Sequence, residues 1–231
     1  MKALVIIPAY NEEKNLAKLL EKLTESCPGL DTVVVNDCSA DGTSEISRDS
    51  GAYVIDLPVN LGIGGAVQAG YRYAMYRGYD AAVQVDGDGQ HDPGDLIGLV
   101  ATARADPGLR IIVGSRMTDP GSMPLIRYWT NRFTSSRISK LAGQAIPDSQ
   151  CGYRLIHRDC LRVWKPTVFR FDSETEMLIH ASRGGMRIGS ARIRTIYREG
   201  MRPSRIHPVR DSLRYFQMMH RLKHPPEGDG R

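Results

Sequence analysis

Short, wholly apolar runs alternate along this chain with longer stretches in which apolar residues recur every three or four positions. Lys2 to Ile7 is a continuous apolar run, the pattern of a strand covered on both faces. Pro8-Ala9-Tyr10-Asn11 breaks it. Asn11 reads as the cap of a helix with Glu12 and Glu13 in its first turn and Leu16, Leu19, Leu20 and Leu23 on one face. Further strands are predicted at Thr32 to Val35, Ala52 to Asp56, Ala81 to Val85 and Leu109 to Val113. Helices are predicted from Ser44 to Asp49, from the Asn60 to Ala66 stretch through about Tyr76, and from Pro93 to about Arg104. Strands and helices alternating at this spacing imply an α/β fold with a mostly parallel sheet and helices on both faces. Beyond Arg116 the pattern predicts a helix from Leu125 to Leu141, a loop from Asp148 to Arg154 entering a short strand, a helix from Asp172 to Ser182, and a strand from Arg187 to Tyr197. A basic loop, Arg198 to Arg205, then leads into a closing helix from Pro208 to about Lys223, with Val209, Leu213, Phe216, Met219 and Leu222 on one face.

The polar residues gather where predicted strands end. Tyr10-Asn11, Asp37, Asp86-Gly87-Asp88-Gly89-Gln90 and Arg116 all fall at the carboxyl ends of strands, where open α/β sheets bind ligands. Asp86 and Asp88 lie one residue apart in a glycine turn, and like charges so close favour a cation between or beside them. Hard divalent ions such as Mg²⁺ and Mn²⁺ take oxygen ligands of this kind and keep positions open for phosphates. Such an ion in a nucleotide-sized crevice suits a nucleoside diphosphate, and Asp37 could accept hydrogen bonds from its base or ribose. Gly62-Ile63-Gly64-Gly65 loosely matches a dinucleotide fingerprint, but that motif belongs after a first strand, and here the first strand runs into Pro8-Ala9-Tyr10-Asn11.

Charge sharpens the picture. The net charge of +5 over 231 residues hides an asymmetry: residues 183–224 carry eleven Arg and Lys against Glu199 and Asp211, a local +9, while residues 1–182 carry −3. The basic end expects anionic partners. No run of eighteen apolar residues predicts a membrane span, and Met1 to Pro8 reads as a core strand rather than a signal peptide. Cys27, Cys38, Cys151 and Cys160 show no zinc or redox spacing, which fits reduced thiols in a cytoplasmic protein.

Four motifs together, Val5 to Glu13, Asn36 to Thr43, Asn60-Leu61-Gly62 and Asp86 to Pro93, resemble those of the family 2 glycosyltransferases. Gly114-Ser115-Arg116, Asp148 to Arg154, Glu176 and the 198–205 loop look most like the polyprenyl-phosphate branch, the dolichyl-phosphate mannose or glucose synthases. The resemblance implies a GT-A fold over residues 1–206, with a nucleotide-sugar half at 1–116 and an acceptor half at 117–206; the apolar pattern and composition beyond it predict an amphipathic helix at 207–224 and a disordered tail at 225–231. It implies inverting transfer of mannose or glucose from GDP-mannose or UDP-glucose to a polyprenyl phosphate. Pro8, Ala9, Tyr10, Glu12, Asp37, Gly62 and Asp86 would hold the nucleotide sugar; Asp86, Asp88 and Gln90 would hold Mg²⁺ or Mn²⁺. Arg116, Arg132, Ser136, Arg198 and Arg205 would receive the acceptor phosphate, and Asp88, Arg116 and Glu176 would be catalytic.

A lipid phosphate is already ionised near neutral pH, with a second pKa of about 6, so it needs cations more than a base. Arginine binds its oxygens through a planar fork. A saccharide or other hydroxyl acceptor would instead require a general base, with Asp148, Glu174 and Glu176 as the alternatives. The closing helix could lie on an anionic membrane surface, making the enzyme peripheral on the cytoplasmic face, or pack on the domain or on a second copy in a homo-oligomer. A non-catalytic lipid or nucleic-acid binding module would leave the acidic and nucleotide loops without a purpose, so nucleic acid is not expected as a partner.

Overall fold

The computed structural model describes residues 1–87, 92–117, 123–164, 166 and 172–194. The elements follow one another as β1 (Ala3–Ala9), α1 (Glu13–Ser26), β2 (Asp31–Asn36), α2 (Thr43–Asp49), β3 (Tyr53–Asp56), α3 (Ile63–Tyr76) and β4 (Ala81–Gln84). A 3₁₀ turn at Pro93–Asp95 then opens α4 (Leu96–Ala105), followed by β5 (Leu109–Ser115), α5 (Leu125–Ala142), β6 (Arg154–His157), α6 (Arg158–Val163), α7 (Asp172–Arg183) and β7 (Arg187–Arg192). The seven strands form one sheet in the order β3-β2-β1-β4-β6-β5-β7. All neighbours pair in parallel except β6, which runs antiparallel to both β4 and β5. The mostly parallel α/β architecture expected from the apolar pattern is the one observed.

The core explains why these segments settle as they do. Every residue of β1 and of β4 is buried, as strands covered on both faces require. On α1 the buried residues are Leu16, Leu19, Leu20 and Leu23, the stripe predicted by their spacing. Each such leucine contributes roughly 1.5–3 kcal/mol by leaving water. Gly70 sits where α3 presses on β1; a Cβ there would lie 2.3 Å from Ile6 Cγ2, so the helix could not approach so closely with a larger residue.

Three local expectations are corrected. Asn11 does not cap α1: its backbone is left-handed at φ 55°, and its side-chain oxygen accepts the Ala40 amide across the loops, 2.9 Å away. The residue at the cap position is Glu12. The segment after β6 forms α6, which was not expected, because six residues are too few to show a helical period. The helix expected to start at Pro93 begins with a single 3₁₀ turn, where Asp92 accepts the Gly94 amide. The last part of the strand expected to reach Tyr197, and the helix at 207–224, lie outside the described residues.

All four cysteines are free; Cys38 is exposed and Cys27, Cys151 and Cys160 are buried. Burial pushes the Cys151 and Cys160 thiols up to about 12 and raises Cys27 as well. The thiolate is the reactive form, so at pH 8 these three stay protonated. A thiol reagent is expected to label one fast site per native chain, lost on Cys38→Ser, and four after denaturation. Two or more fast sites would contradict this packing.

Candidate active site

The site assembles where β2, β1 and β4 end side by side. Asp37 follows β2, and its backbone amide donates to Ala9 O at 2.8 Å, which ties the ends of β2 and β1. The loops after these strands are laced by side chains. Asn11 N–H donates to Ser39 Oγ, Glu12 N–H to Thr43 Oγ1, and Gly42 N–H to Glu13 Oε2. Such reciprocal side-chain to backbone bonds hold irregular loops rigid without a ladder. Pro8 and Ala9 are buried beneath this rim, and Tyr10 is exposed on it. The expected nucleotide residues Pro8, Ala9, Tyr10, Glu12 and Asp37 are thus brought to one place.

Asp37 does more there than the sequence suggested. It is 3% exposed, and its two carboxylate oxygens accept the amides of Leu61 at 2.7 Å and Gly62 at 2.8 Å. The carboxylate therefore holds the entrance to α3, where a negative charge is favoured by the helix dipole. Gly62 has φ 77°, a left-handed conformation suited to glycine, and this presents its amide to Asp37. Each oxygen keeps a second lone pair for a ligand.

Asp86 lies just past β4, half-buried, beside Gly87. A Cβ on Gly87 would sit 3.0 Å from Pro8 O, so the missing side chain lets the backbone at Gly87 come close to the end of β1. Asp88 and Gln90, the other expected metal ligands, lie outside the described residues, as do Arg198 and Arg205. Among the described residues no cluster of three carboxylate, histidine or cysteine ligands occurs. The donor set is nevertheless of the right kind. The Asp86 carboxylate fills the space that a side chain at position 152 would need, and it begins a run of oxygen-bearing residues suited to Mg²⁺ or Mn²⁺.

In the half expected to bind the acceptor, the structure forms a cleft of about 340 Å³ lined by Met117, Tyr128, Arg132, Ser135, Ser136 and the Ala145–Pro147 turn among others. Arg132 and Ser136, predicted together, meet there. Arg116, the third predicted phosphate ligand, is buried just before Met117. It makes a two-pronged ion pair with Asp148, Nε to Oδ2 at 2.7 Å and Nη2 to Oδ1 at 2.9 Å. Its charge is therefore largely met by a carboxylate that is itself fully buried. Ser149 continues this link to the cleft, its amide donating to Ser135 Oγ at 2.9 Å.

No local pattern in the sequence marks the Arg116–Asp148 pair. The two residues are 32 positions apart, and only the antiparallel insertion of β6 between β4 and β5 swings the 148–153 loop over both strand ends. Arg154, the last residue of the 148–154 motif, has a structural role no local pattern marks: its side chain is 1% exposed. Arg154 donates to the carbonyls of Cys151 at 2.6 Å, Ser149 at 2.8 Å and Glu174 at 2.8 Å, and lies 3.4 Å from the Glu174 carboxylate. Glu174 in turn accepts from Gln84, which accepts from Tyr71. Burial, with the Glu174 charge adding to it, pushes the Tyr71 hydroxyl well above its ordinary range, so it remains a donor. Glu176, expected to be catalytic, is 3% exposed on α7 and is not among the residues lining the cleft.

These features agree with what the chain is similar to. The family described as glycosyl transferase family 2 matches residues 4–164. The undecaprenyl-phosphate mannosyltransferase of Micrococcus luteus is 32% identical over 216 residues, 86% of this chain and 85% of that protein. The UDP-N-acetylglucosamine–dolichyl-phosphate N-acetylglucosaminyltransferase of Methanococcus voltae is 31% identical over 217 residues, 84% of this chain and 86% of that one. In fold, the chain is similar to glucosyl-3-phosphoglycerate synthase from Mycobacterium tuberculosis, solved with Mn²⁺, UDP and glucosyl-3-phosphoglycerate, with a TM-score of 0.69 at 20% identity over 96% of this chain and 77% of that one. Matched over more than half its length, and carrying the strand-end loops in order, the chain belongs to glycosyltransferase family 2.

Proposed function

We propose that this enzyme transfers a hexose, mannose or glucose, from a nucleoside diphosphate sugar to a polyprenyl phosphate with inversion at the anomeric carbon, using Mg²⁺ or Mn²⁺. The observation that carries the choice of acceptor is the cleft beside the end of β5, where Arg132 and Ser136 meet while two of the three general-base alternatives are occupied elsewhere. Asp148 is enclosed with Arg116, and Glu174 is held by Gln84 and Arg154. A hydroxyl acceptor would need a base to take its proton; a phosphate monoester brings its own anionic oxygen.

In this reading the rim of residues 8–12 and Asp37 holds the nucleotide, and Asp86, Asp88 and Gln90 hold the ion. When bound, the ion offsets the charge that develops on the departing diphosphate. Arg132 and Ser136 orient the acceptor phosphate, so that one oxygen forms the new bond to the anomeric carbon as the bond to the diphosphate breaks on the opposite face. No proton has to move. The names of the relatives support the substrate class, since those from Micrococcus luteus and Methanococcus voltae both name a polyprenyl-type phosphate acceptor.

A bilayer contact belongs to the same reading. The helix at 207–224 expected to make it lies outside the described residues, and no helix among the described residues is long and apolar enough to cross a membrane. On α5, however, Leu125, Ile126, Trp129 and Phe133 are 62–85% exposed, and the chain between Met123 and Pro147 contains Arg127, Arg132, Arg137 and Lys140 but no acidic residue. Apolar and aromatic side chains with interspersed cations suit an anionic lipid surface, and this helix also lines the cleft.

Two results test the acceptor assignment. The dephosphorylated polyprenol is expected to give no product under conditions where the phosphate does; equal use of both would show that a base operates. Arg132→Ala is expected to raise the KM for polyprenyl phosphate about tenfold, as for loss of a charge-assisted hydrogen bond of about 1.5 kcal/mol. The KM for the nucleotide sugar should stay within twofold, and a parallel rise in both would remove Arg132 from the acceptor site.

A further inference from the structure

Gly152 is a glycine that its backbone does not call for. It is absent from the glycines with positive φ, so an alanine could adopt its conformation. What an alanine would meet is the Asp86 carboxyl group. A Cβ at position 152 would stand 2.8 Å from Asp86 Oδ2, 3.0 Å from Oδ1 and 3.2 Å from Cγ, and these are its three nearest neighbours. Carbon and oxygen do not approach so closely without one of them moving.

The loop is the less able to yield. On one side of Gly152, Arg154 holds the carbonyls of Ser149 and Cys151 from a buried position, and Ser149 is bonded through its amide to Ser135 on α5. On the other side, β6 begins at Arg154 and is paired on both edges. The Asp86 carboxyl group, by contrast, is the far end of a side chain that can turn about its own bonds. The clash would therefore be relieved by displacing the carboxylate, at small cost to the fold.

We propose that Gly152 is a positioning residue for the metal-binding carboxylate, setting where Asp86 stands by leaving room for it, so that the loop carrying Asp148 toward the acceptor side also fixes the donor side. This rests on the reading of Asp86 as a metal ligand and adds to it a residue that acts through the Asp86 side chain. A displaced ligand weakens binding of the ion itself, whereas a merely structural glycine would lower thermal stability and leave the ion's affinity alone.

The experiment is a Mn²⁺ titration of the full chain, following free Mn²⁺ by electron paramagnetic resonance in the presence of whichever of GDP and UDP tightens its binding. It would be run on the wild type, Asp86→Ala and Gly152→Ala, together with melting curves and the two substrate KM values. Gly152→Ala is expected to bind Mn²⁺ at least tenfold more weakly, to melt within a few degrees of the wild type, and to keep the polyprenyl phosphate KM within twofold. If Asp86→Ala binds Mn²⁺ like the wild type, the metal reading itself is wrong. If Asp86→Ala loses the ion but Gly152→Ala binds it normally, or if Gly152→Ala fails to fold, the positioning role is overturned while the metal reading stands.

Discussion

Sugar transfer by Asp86→Ala is expected to fall by about three orders of magnitude at saturating substrates and metal, with the fold retained. The size follows from what the carboxylate is asked to supply. A divalent ion opposite a developing charge contributes several kcal/mol, and about 4 kcal/mol is a thousandfold in rate. Retention of the fold follows from location. Asp86 stands after the last residue of β4, outside the sheet's hydrogen-bonded ladder, and its carboxyl group packs on Gly152. Removing it opens space and takes a half-buried charge out of the protein, which relieves desolvation. Steady-state turnover against a melting curve separates the two effects. Activity within tenfold of the wild type would take Asp86 out of the reaction.

The second large effect concerns stability. Arg154→Met is expected to destabilise the protein by about 3–5 kcal/mol, the range for breaking a buried ion pair by removing one partner. At roughly 2–4 °C per kcal/mol for a chain of this size, the melting temperature should drop by about 10 °C. Methionine matches the length of the arginine stem, so what is removed is the guanidinium head and its hydrogen bonds. The carbonyls of Ser149, Cys151 and Glu174 lose their donor, and the Glu174 carboxylate loses its cation in a low-dielectric setting. Adding Glu174→Gln should restore part of the loss, because the amide carries no charge to strand while an acceptor still faces Gln84. A melting temperature within two degrees of the wild type for Arg154→Met would mean that Arg154 does not hold this loop.

What could be read from the sequence was whatever is encoded within a short window. β1 announces itself as a continuous apolar run and α1 by four leucines at helical spacing. Because the first strands are parallel and neighbouring, strand-end residues as far apart as Tyr10, Asp37 and Asp86 could be placed together from topology alone. The reading failed where position depends on a pairing that no local pattern carries. β6 was expected as a strand, but nothing in Arg154-Leu155-Ile156-His157 states that it runs antiparallel between β4 and β5. That single insertion creates the Arg116–Asp148 pair, buries Arg154 and sets Gly152 against Asp86. Asn11 departs from its expected role for a related reason. The residue type suits a helix cap, yet its partner, the Ala40 amide, comes from a loop 29 positions away.

The most direct test of the account is transfer of labelled hexose into an organic-extractable product. The purified full chain would be given GDP-mannose or UDP-glucose, a short polyprenyl phosphate and Mn²⁺, with and without EDTA. Label in the organic phase with one of the donors, abolished by EDTA and restored by excess Mn²⁺, is the predicted result. Label that persists undiminished in EDTA, or that appears only in water-soluble products when saccharides are supplied, would contradict metal-dependent transfer to a lipid phosphate.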